Sequence, residues 1–85
     1  MEIDNLITIF ERKLMIQRYS ANSIKNYSSA VKSFLQIAAK KFEHPDQLSE
    51  DEIEKYVFWK IEKYKISSSY QRMIVASIDK FYHSV

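Results

Sequence analysis

Apolar residues recur every three or four positions along most of the chain, which is the spacing of one face of an α-helix. The pattern predicts helices over residues 4–18 and 21–41, a third from a Ser49 cap to about residue 63, and a fourth from a Ser67 cap to the C terminus. The predicted core positions are Ile3, Leu6, Ile7, Phe10, Leu14, Ile24, Tyr27, Val31, Phe34, Leu35, Ala38, Ile53, Tyr56, Val57, Ile61, Tyr64, Ile74, Val75, Ile78, Phe81 and Tyr82. The sequence therefore predicts one all-α domain with a single core.

Serine marks the predicted start of three helices, because its hydroxyl accepts a hydrogen bond from a free backbone N–H of the first turn. Ser49 and Glu52 have the spacing of a capping box, and Leu48 is placed to pack on Ile53 as a hydrophobic staple. The loop before this helix is punctuated by the single proline of the chain. The predicted N-caps are Ser20, Ser49 and Ser67.

Residues 47 positions apart resemble one another around the second and fourth predicted helices. Tyr19-Ser20 corresponds to Ile66-Ser67, Lys25 to Arg72, Val31 to Ile78, and Phe34 to Phe81. One interpretation is a pair of related helix–loop–helix units. The other is coincidence between two amphipathic helices.

A second apolar stripe on the first helix carries Ile9 and Ile16, about 100° from its main apolar face. Neighbouring helices that wrap this helix on two sides would explain the stripe. A docking surface for another domain or subunit would explain it equally well.

Composition excludes several classes of protein. The 85 residues contain no Cys and no Gly, so the sequence offers no disulfide framework, no thiolate nucleophile and no glycine-rich phosphate loop. No apolar run is long enough to cross a membrane. The two histidines have no ligand partners at metal-binding spacing, and no Ser–His–acid arrangement is present. We therefore expect no catalytic site, no metal and no cofactor in this chain.

Charge is strongly segregated although the net charge is only +2. Seven bases and no acid lie between Arg12 and Lys41, whereas six acids and no base lie between Glu43 and Glu54. The outer face of the second helix is polar and basic, and the fourth helix begins with serines followed by Arg72. Such helix starts suit DNA phosphates or base edges, although serine and asparagine there are also ordinary caps.

Residues 14–35 and 44–85 resemble the N-terminal core-binding domain of tyrosine recombinases, the phage-integrase family. The family commonly has a Ser-x-Asn-Thr-Ile-x-x-Tyr turn into its second helix, which stands here as SANSIKNY at residues 20–27, with Ser23 in place of threonine. Its acidic capping turn is matched by LSEDEI at residues 48–53. Its last helix follows a Leu-Ser-x-Ser turn and ends in an aromatic pair, matched by ISSS at 66–69 and by Phe81-Tyr82.

This resemblance implies a SAM-like four-helix bundle of two crossed helical hairpins, spanning residues 1–85 as one domain. It implies half of a clamp around double-stranded DNA, with the second and fourth helices facing the duplex. The family's catalytic domain lies further along the parent chain, so partners would be that domain and neighbouring recombinase protomers on DNA, in a bacterial cytoplasm. The expected DNA-binding residues are Asn22, Ser23, Lys25, Asn26, Ser29, Lys32, Lys65, Ser68, Ser69, Arg72 and Met73.

A competing hypothesis is a helical protein–protein interaction domain that does not bind DNA. Its working surface would be Ile9, Ile16 and the acidic block of residues 43–54. The two hypotheses differ in salt dependence, because only DNA binding requires neutralisation of phosphates.

Overall fold

Four helices make up nearly all of the structure, a computed structural model that describes residues 1–83. They form two crossed helical hairpins, α1 with α2 and α3 with α4, and a short 3₁₀ turn lies between the hairpins. No strand occurs among the described residues. The helices are α1 (Ile3–Ile16), α2 (Ala21–Ala38), α3 (Glu50–Tyr64) and α4 (Ser68–His83), and the turn is Pro45–Gln47.

The predicted number and order of helices are confirmed, but two helices end earlier than predicted. α1 stops at Ile16 because Arg18 adopts a left-handed backbone conformation with φ of 68°. The N–H groups of Arg18 and Tyr19 then donate to the carbonyls of Met15 and Leu14, which is a Schellman motif. α2 stops at Ala38, after which the N–H groups of Lys40 and Lys41 donate to carbonyls three residues back and tighten the last turn. The last two residues predicted for the fourth helix lie outside the described part.

The core is centred on α2, which packs against both α1 and α4. Its residues Val31, Phe34 and Leu35 are almost completely buried. Phe34 meets Tyr56 of α3 edge to face, with ring centroids 5.0 Å apart. Phe10 of α1 meets Phe81 of α4 in the same way at 5.7 Å. Each such aromatic pair contributes about 0.5–1.5 kcal/mol beyond the burial of its surface.

Two residues predicted to lie in the core are exposed. Tyr64 retains 54% of its accessible surface and Val75 retains 46%. Both belong to the second hairpin, where Tyr56 is the only buried residue among the 15 of α3. The helical spacing is correct at these positions, but a groove between α3 and α4 stays open, and Val75 lines it.

Residues 47 positions apart also share the same backbone features in the two hairpin turns. Arg18 and Lys65 are the two non-glycine residues with positive φ among the described residues, and they lie 47 positions apart. Each begins the turn between the two helices of a hairpin. Ser20 Oγ then accepts from the Ser23 N–H at 3.1 Å, and Ser67 Oγ accepts from the Tyr70 N–H at 3.2 Å. Chance similarity of apolar spacing would not reproduce this turn.

The predicted cap of α3 is confirmed in its main hydrogen bond. The Glu52 N–H donates to Ser49 Oγ at 3.3 Å, and Leu48 and Ile53 both pack against the core. Within residues 1–83 the reciprocal bond from the Ser49 N–H to the Glu52 side chain is not formed. The predicted capping box is therefore wrong in that half, and the cap relies on the serine and the acidic first turn.

A glycine substitution tests the left-handed turns. Lys65→Gly should raise the free energy of unfolding by about 0.5–1 kcal/mol, because a Cβ is unfavourable at positive φ. The matched control is Lys25→Gly, because Lys25 is an exposed lysine within α2. This substitution should lower the free energy of unfolding by about 0.5–1 kcal/mol. Urea unfolding, followed by the far-UV circular dichroism signal of the helices, measures the stability of both variants. Destabilisation by the same amount in both variants would contradict the left-handed assignment.

Candidate nucleic-acid interface

The polar face predicted for the second helix is a continuous exposed stripe on α2. Asn22, Lys25, Asn26, Ser29 and Lys32 are all exposed, and α2 is unbroken from Ala21 to Ala38. Residues three and four apart on a helix lie next to one another, so these five side chains share one surface. We call them the α2 stripe. It combines two cations with amide and hydroxyl groups.

The structure places two carboxylates of α1 beside this stripe, and one of them, Glu11, lines a surface depression together with Lys25 and Ser29. Asp4 of α1 lies 3.7 Å from Lys32 Nζ, and the side chain of Asp4 is 93% exposed. Sequence distance hid this pair, since no acid occurs within α2 itself. Because the pair is exposed, its net attraction is small, about 0–1 kcal/mol. The pair therefore opens at little cost when an anion approaches Lys32.

Ser23 supports the cap and is only half exposed. The Ser20 hydroxyl donates to Ser23 Oγ at 3.0 Å, in addition to the backbone bond that caps α2. Ser23, one of the residues expected to contact DNA, thus already makes two hydrogen bonds with Ser20 at the start of α2.

The α4 positions divide into exposed and half-buried residues. Ser68, Ser69 and Arg72 are exposed at the start of α4, and Lys65 is exposed in the preceding turn. Met73 is half-buried, and the Ser77 hydroxyl donates to its carbonyl at 2.6 Å and lies 3.4 Å from its Sδ. Within residues 1–83 no hydrogen bond or ion pair joins these residues to the α2 stripe. The candidate residues therefore form two polar surfaces on separate helices.

A lysine of α4 ties its helix to the start of α2, and sequence analysis missed this contact. Lys80 Nζ donates to the Tyr19 hydroxyl at 2.7 Å. The same ammonium lies 4.9 Å from the ring centre of Tyr19 and 5.4 Å from that of Tyr27. The hydrogen bond that Lys80 donates to Tyr19 is the main cause that raises the pKa of Lys80 above its usual value. Lys80 and Tyr19 are 61 positions apart, so only the packing of α4 against α2 brings the lysine to these rings.

Acidic residues of α3 and α4 line a different surface. The groove between α3 and α4, about 610 Å³ in volume, is lined by apolar side chains together with Glu50, Glu54, Asp79 and His83. Neither lysine nor arginine lines this groove. Asp79 lies 3.4 Å from His83 Nδ1. The groove is thus unsuited to a polyanion, in contrast to the α2 stripe.

The second apolar stripe of α1 is partly open. Ile16 is 74% exposed and its neighbour Met15 is 65% exposed, whereas Ile9 is half-buried. Packing within the domain therefore accounts for much of Ile9, whereas Met15 and Ile16 stay exposed at the end of α1.

Neither a metal-binding cluster nor a membrane-spanning helix occurs among residues 1–83. These residues contain no cluster of three or more histidine, cysteine or carboxylate side chains that would suit a metal ion. None of the described helices combines the length and apolar character needed to cross a membrane.

Removal of one hydroxyl tests the contact between Lys80 and the start of α2. Tyr19→Phe should lower the free energy of unfolding by about 0.5–1.5 kcal/mol, since it leaves the partly buried ammonium without its acceptor. Tyr64→Phe removes a hydroxyl from an exposed ring and should change stability by less than about 0.5 kcal/mol. Urea unfolding at neutral pH compares the two. Equal stability of both variants would show that the bond contributes nothing.

Comparison with known proteins agrees with this architecture. The family model of the phage integrase N-terminal SAM-like domain matches residues 6–85. Neither a curated protein nor a solved structure matches the chain. The family match covers nearly all of the sequence, and it includes most of α1 together with α2, α3 and α4. The chain is a member of the phage integrase N-terminal SAM-like domain family.

Proposed function

We propose that this domain binds duplex DNA through the α2 stripe and the start of α4, as the core-binding half of a clamp in a tyrosine recombinase. Catalysis belongs, in this proposal, to a separate domain of a longer parent chain. The parent acts in DNA integration or recombination in the cytoplasm. The α2 stripe is the observation that carries the proposal, because it is an exposed basic surface in a domain of the integrase family.

Electrostatics supports the assignment of the face. Phosphate contacts from lysine and arginine supply most of the affinity of DNA-binding proteins, and neutral hydrogen-bonding side chains fix the register. Lys25 and Arg72 are exposed cations that follow serine-capped helix starts, where free N–H groups also favour an anion. The carboxylates of the first turn of α3 would repel phosphate, so that helix end is assigned away from the duplex.

The candidate residues divide into direct and supporting roles. Ser23 maintains the α2 cap and Met73 takes part in packing, so both act by positioning their neighbours. Lys32 reaches phosphate once it leaves Asp4. The residues proposed to contact DNA directly are Asn22, Lys25, Asn26, Ser29, Lys32, Lys65, Ser68, Ser69 and Arg72.

Protein partners are a separate part of the proposal. Met15 and Ile16 provide an exposed apolar surface at the end of α1, suited to the catalytic domain of the parent or to a neighbouring protomer on DNA. The same exposure favours the competing hypothesis, a protein-interaction domain without DNA binding. Salt dependence decides between the two.

Salt titration measures the number of phosphates that are neutralised. If Lys25, Lys32, Lys65 and Arg72 each neutralise one, the log–log slope of affinity against salt should be about −3.6. If Lys32 stays with Asp4, the slope should be about −2.7. These slopes correspond to a loss of roughly 40- to 150-fold between about 50 and 200 mM salt. Fluorescence anisotropy with a labelled duplex is the assay. Binding that is absent at low salt, or indifferent to salt, would contradict DNA binding.

Charge reversal at single sites tests which face binds. Lys25→Glu and Arg72→Glu should each weaken duplex binding much more than Lys55→Glu, and each should reduce the magnitude of the salt slope by about 1. Lys55 is the matched control, because it is equally charged and exposed but lies on the acidic helix α3. All three variants should keep their stability within about 0.5 kcal/mol.

The pattern across the three variants is decisive. Equal losses would leave only attraction by net charge, without a defined face. A larger loss for Lys55→Glu would assign the duplex to α3 instead.

A further inference from the structure

An aromatic and basic cluster at the C-terminal end of α3 is not used by the proposed duplex contact. The rings of Trp59 and Tyr64 meet edge to face, with centroids 5.8 Å apart. Lys60 Nζ lies 4.8 Å from the ring centre of Tyr64. Lys63 Nζ lies 5.4 Å from the ring centre of Trp59 and 6.0 Å from that of Tyr64. We call these four residues the Tyr64 cluster.

The Tyr64 cluster is open to solvent and positively charged. More than half of the Tyr64 side chain is exposed, which makes it a surface ring although helical spacing predicted a core position. Lys65 follows it in the left-handed turn, and Glu62 is the one acid among residues 59–65. An exposed ring therefore stands among three lysines.

Phe58 shows that exposure of a ring alone does not define such a surface. It lies on the same helix and is 63% exposed. Asp51, Glu54 and Glu62 line the shallow surface around it, together with Lys55 and Trp59. Two exposed rings on one helix thus have opposite electrostatic surroundings, and Phe58 provides a matched control for Tyr64.

Rings among cations are the combination that holds single-stranded nucleic acid. Unpaired bases stack on aromatic side chains, and neighbouring cations contact the phosphates between them. The bases of a duplex are already stacked on each other and do not reach a protein ring without flipping. A lysine that lies over a ring has a mobile ammonium, which moves to a phosphate when a base takes its place.

We propose that the Tyr64 cluster binds unpaired bases of single-stranded DNA, with Tyr64 as the stacking surface and Lys60 and Lys63 on the flanking phosphates. This goes beyond the proposed duplex contact and does not depend on the α2 stripe. Lys65, which the proposed function assigns to the duplex, directly follows Tyr64 in the chain, so an unpaired strand that leaves the duplex beside Lys65 would lie next to the Tyr64 cluster.

Trp59 is the only tryptophan of the chain, and it provides the signal for a direct test. A base that stacks on Tyr64 lies close to the Trp59 ring and should quench its fluorescence. Titration with oligothymidine of about 12 nucleotides should give saturable quenching. A duplex of equal length, and heparin as a polyanion without bases, should quench much less.

Substitutions assign the quenching to the Tyr64 cluster. Tyr64→Ala should weaken oligothymidine binding at least about fivefold, because stacking on one ring is lost. Tyr64→Phe should retain binding, and Phe58→Ala should leave it unchanged. Lys60→Ala and Lys63→Ala should each reduce the magnitude of the single-strand salt slope by about 0.7, which provides a second readout independent of the ring.

Lys25→Glu separates this inference from the proposed function. It should weaken duplex binding and leave the oligothymidine titration unchanged. Quenching that is absent, that heparin reproduces, or that falls equally in Phe58→Ala and Tyr64→Ala would overturn the proposal. A loss of oligothymidine binding in Lys25→Glu as large as that in Tyr64→Ala would also overturn it. Failure of duplex binding alone would overturn only the proposed function.

Discussion

Burial of one face of α2 is the constraint on which the rest of the structure depends. Val31, Phe34 and Leu35 are almost completely covered, and α1 and α4 both pack against this helix. A helix covered along one face must present its remaining residues to solvent. The same periodicity that buries Phe34 therefore aligns Asn22, Lys25 and Ser29 on the outside. Core packing and the candidate DNA surface are two consequences of one sequence pattern.

The absence of glycine gives the two hairpin turns an unusual chemistry. Most left-handed turn positions carry glycine, which has no side chain to offer. Here Arg18 and Lys65 occupy them, so each turn adds a cation beside a serine-capped helix start. The strain of a Cβ at positive φ, about 1–2 kcal/mol per residue, is compensated by the rest of the fold. The turns thereby extend the positive surface of α2 and α4 at a cost in stability.

Local rules predicted the helices and their caps because those features depend on neighbours in sequence. The hydroxyl of Ser20 and the apolar spacing of α2 act within a few residues, and both are confirmed. Features that depend on how the hairpins cross were not predictable in this way. Helical phase put Tyr64 and Val75 in the core, but phase says nothing about whether a partner helix covers that position.

The contact of Lys80 with Tyr19 spans 61 residues, and the pair of Asp4 with Lys32 joins two helices. The α2 stripe was predicted as a surface, whereas the hydrogen bond from the Ser20 hydroxyl to Ser23 Oγ was not predicted.

The sparse burial of α3 divides the domain into regions of unequal stability. One buried residue, Tyr56, anchors this helix on Phe34, whereas α1, α2 and α4 share most of the remaining core. Detachment of α3 would expose little fully buried surface, so its opening costs less free energy than the unfolding of the whole domain. Amide protons of α3 would then exchange through a local fluctuation, and those in the middle of α2 only through global unfolding. Among the four helices, the one with the acidic cap is thus the least deeply held in the core, and the one with the basic stripe is the most deeply held.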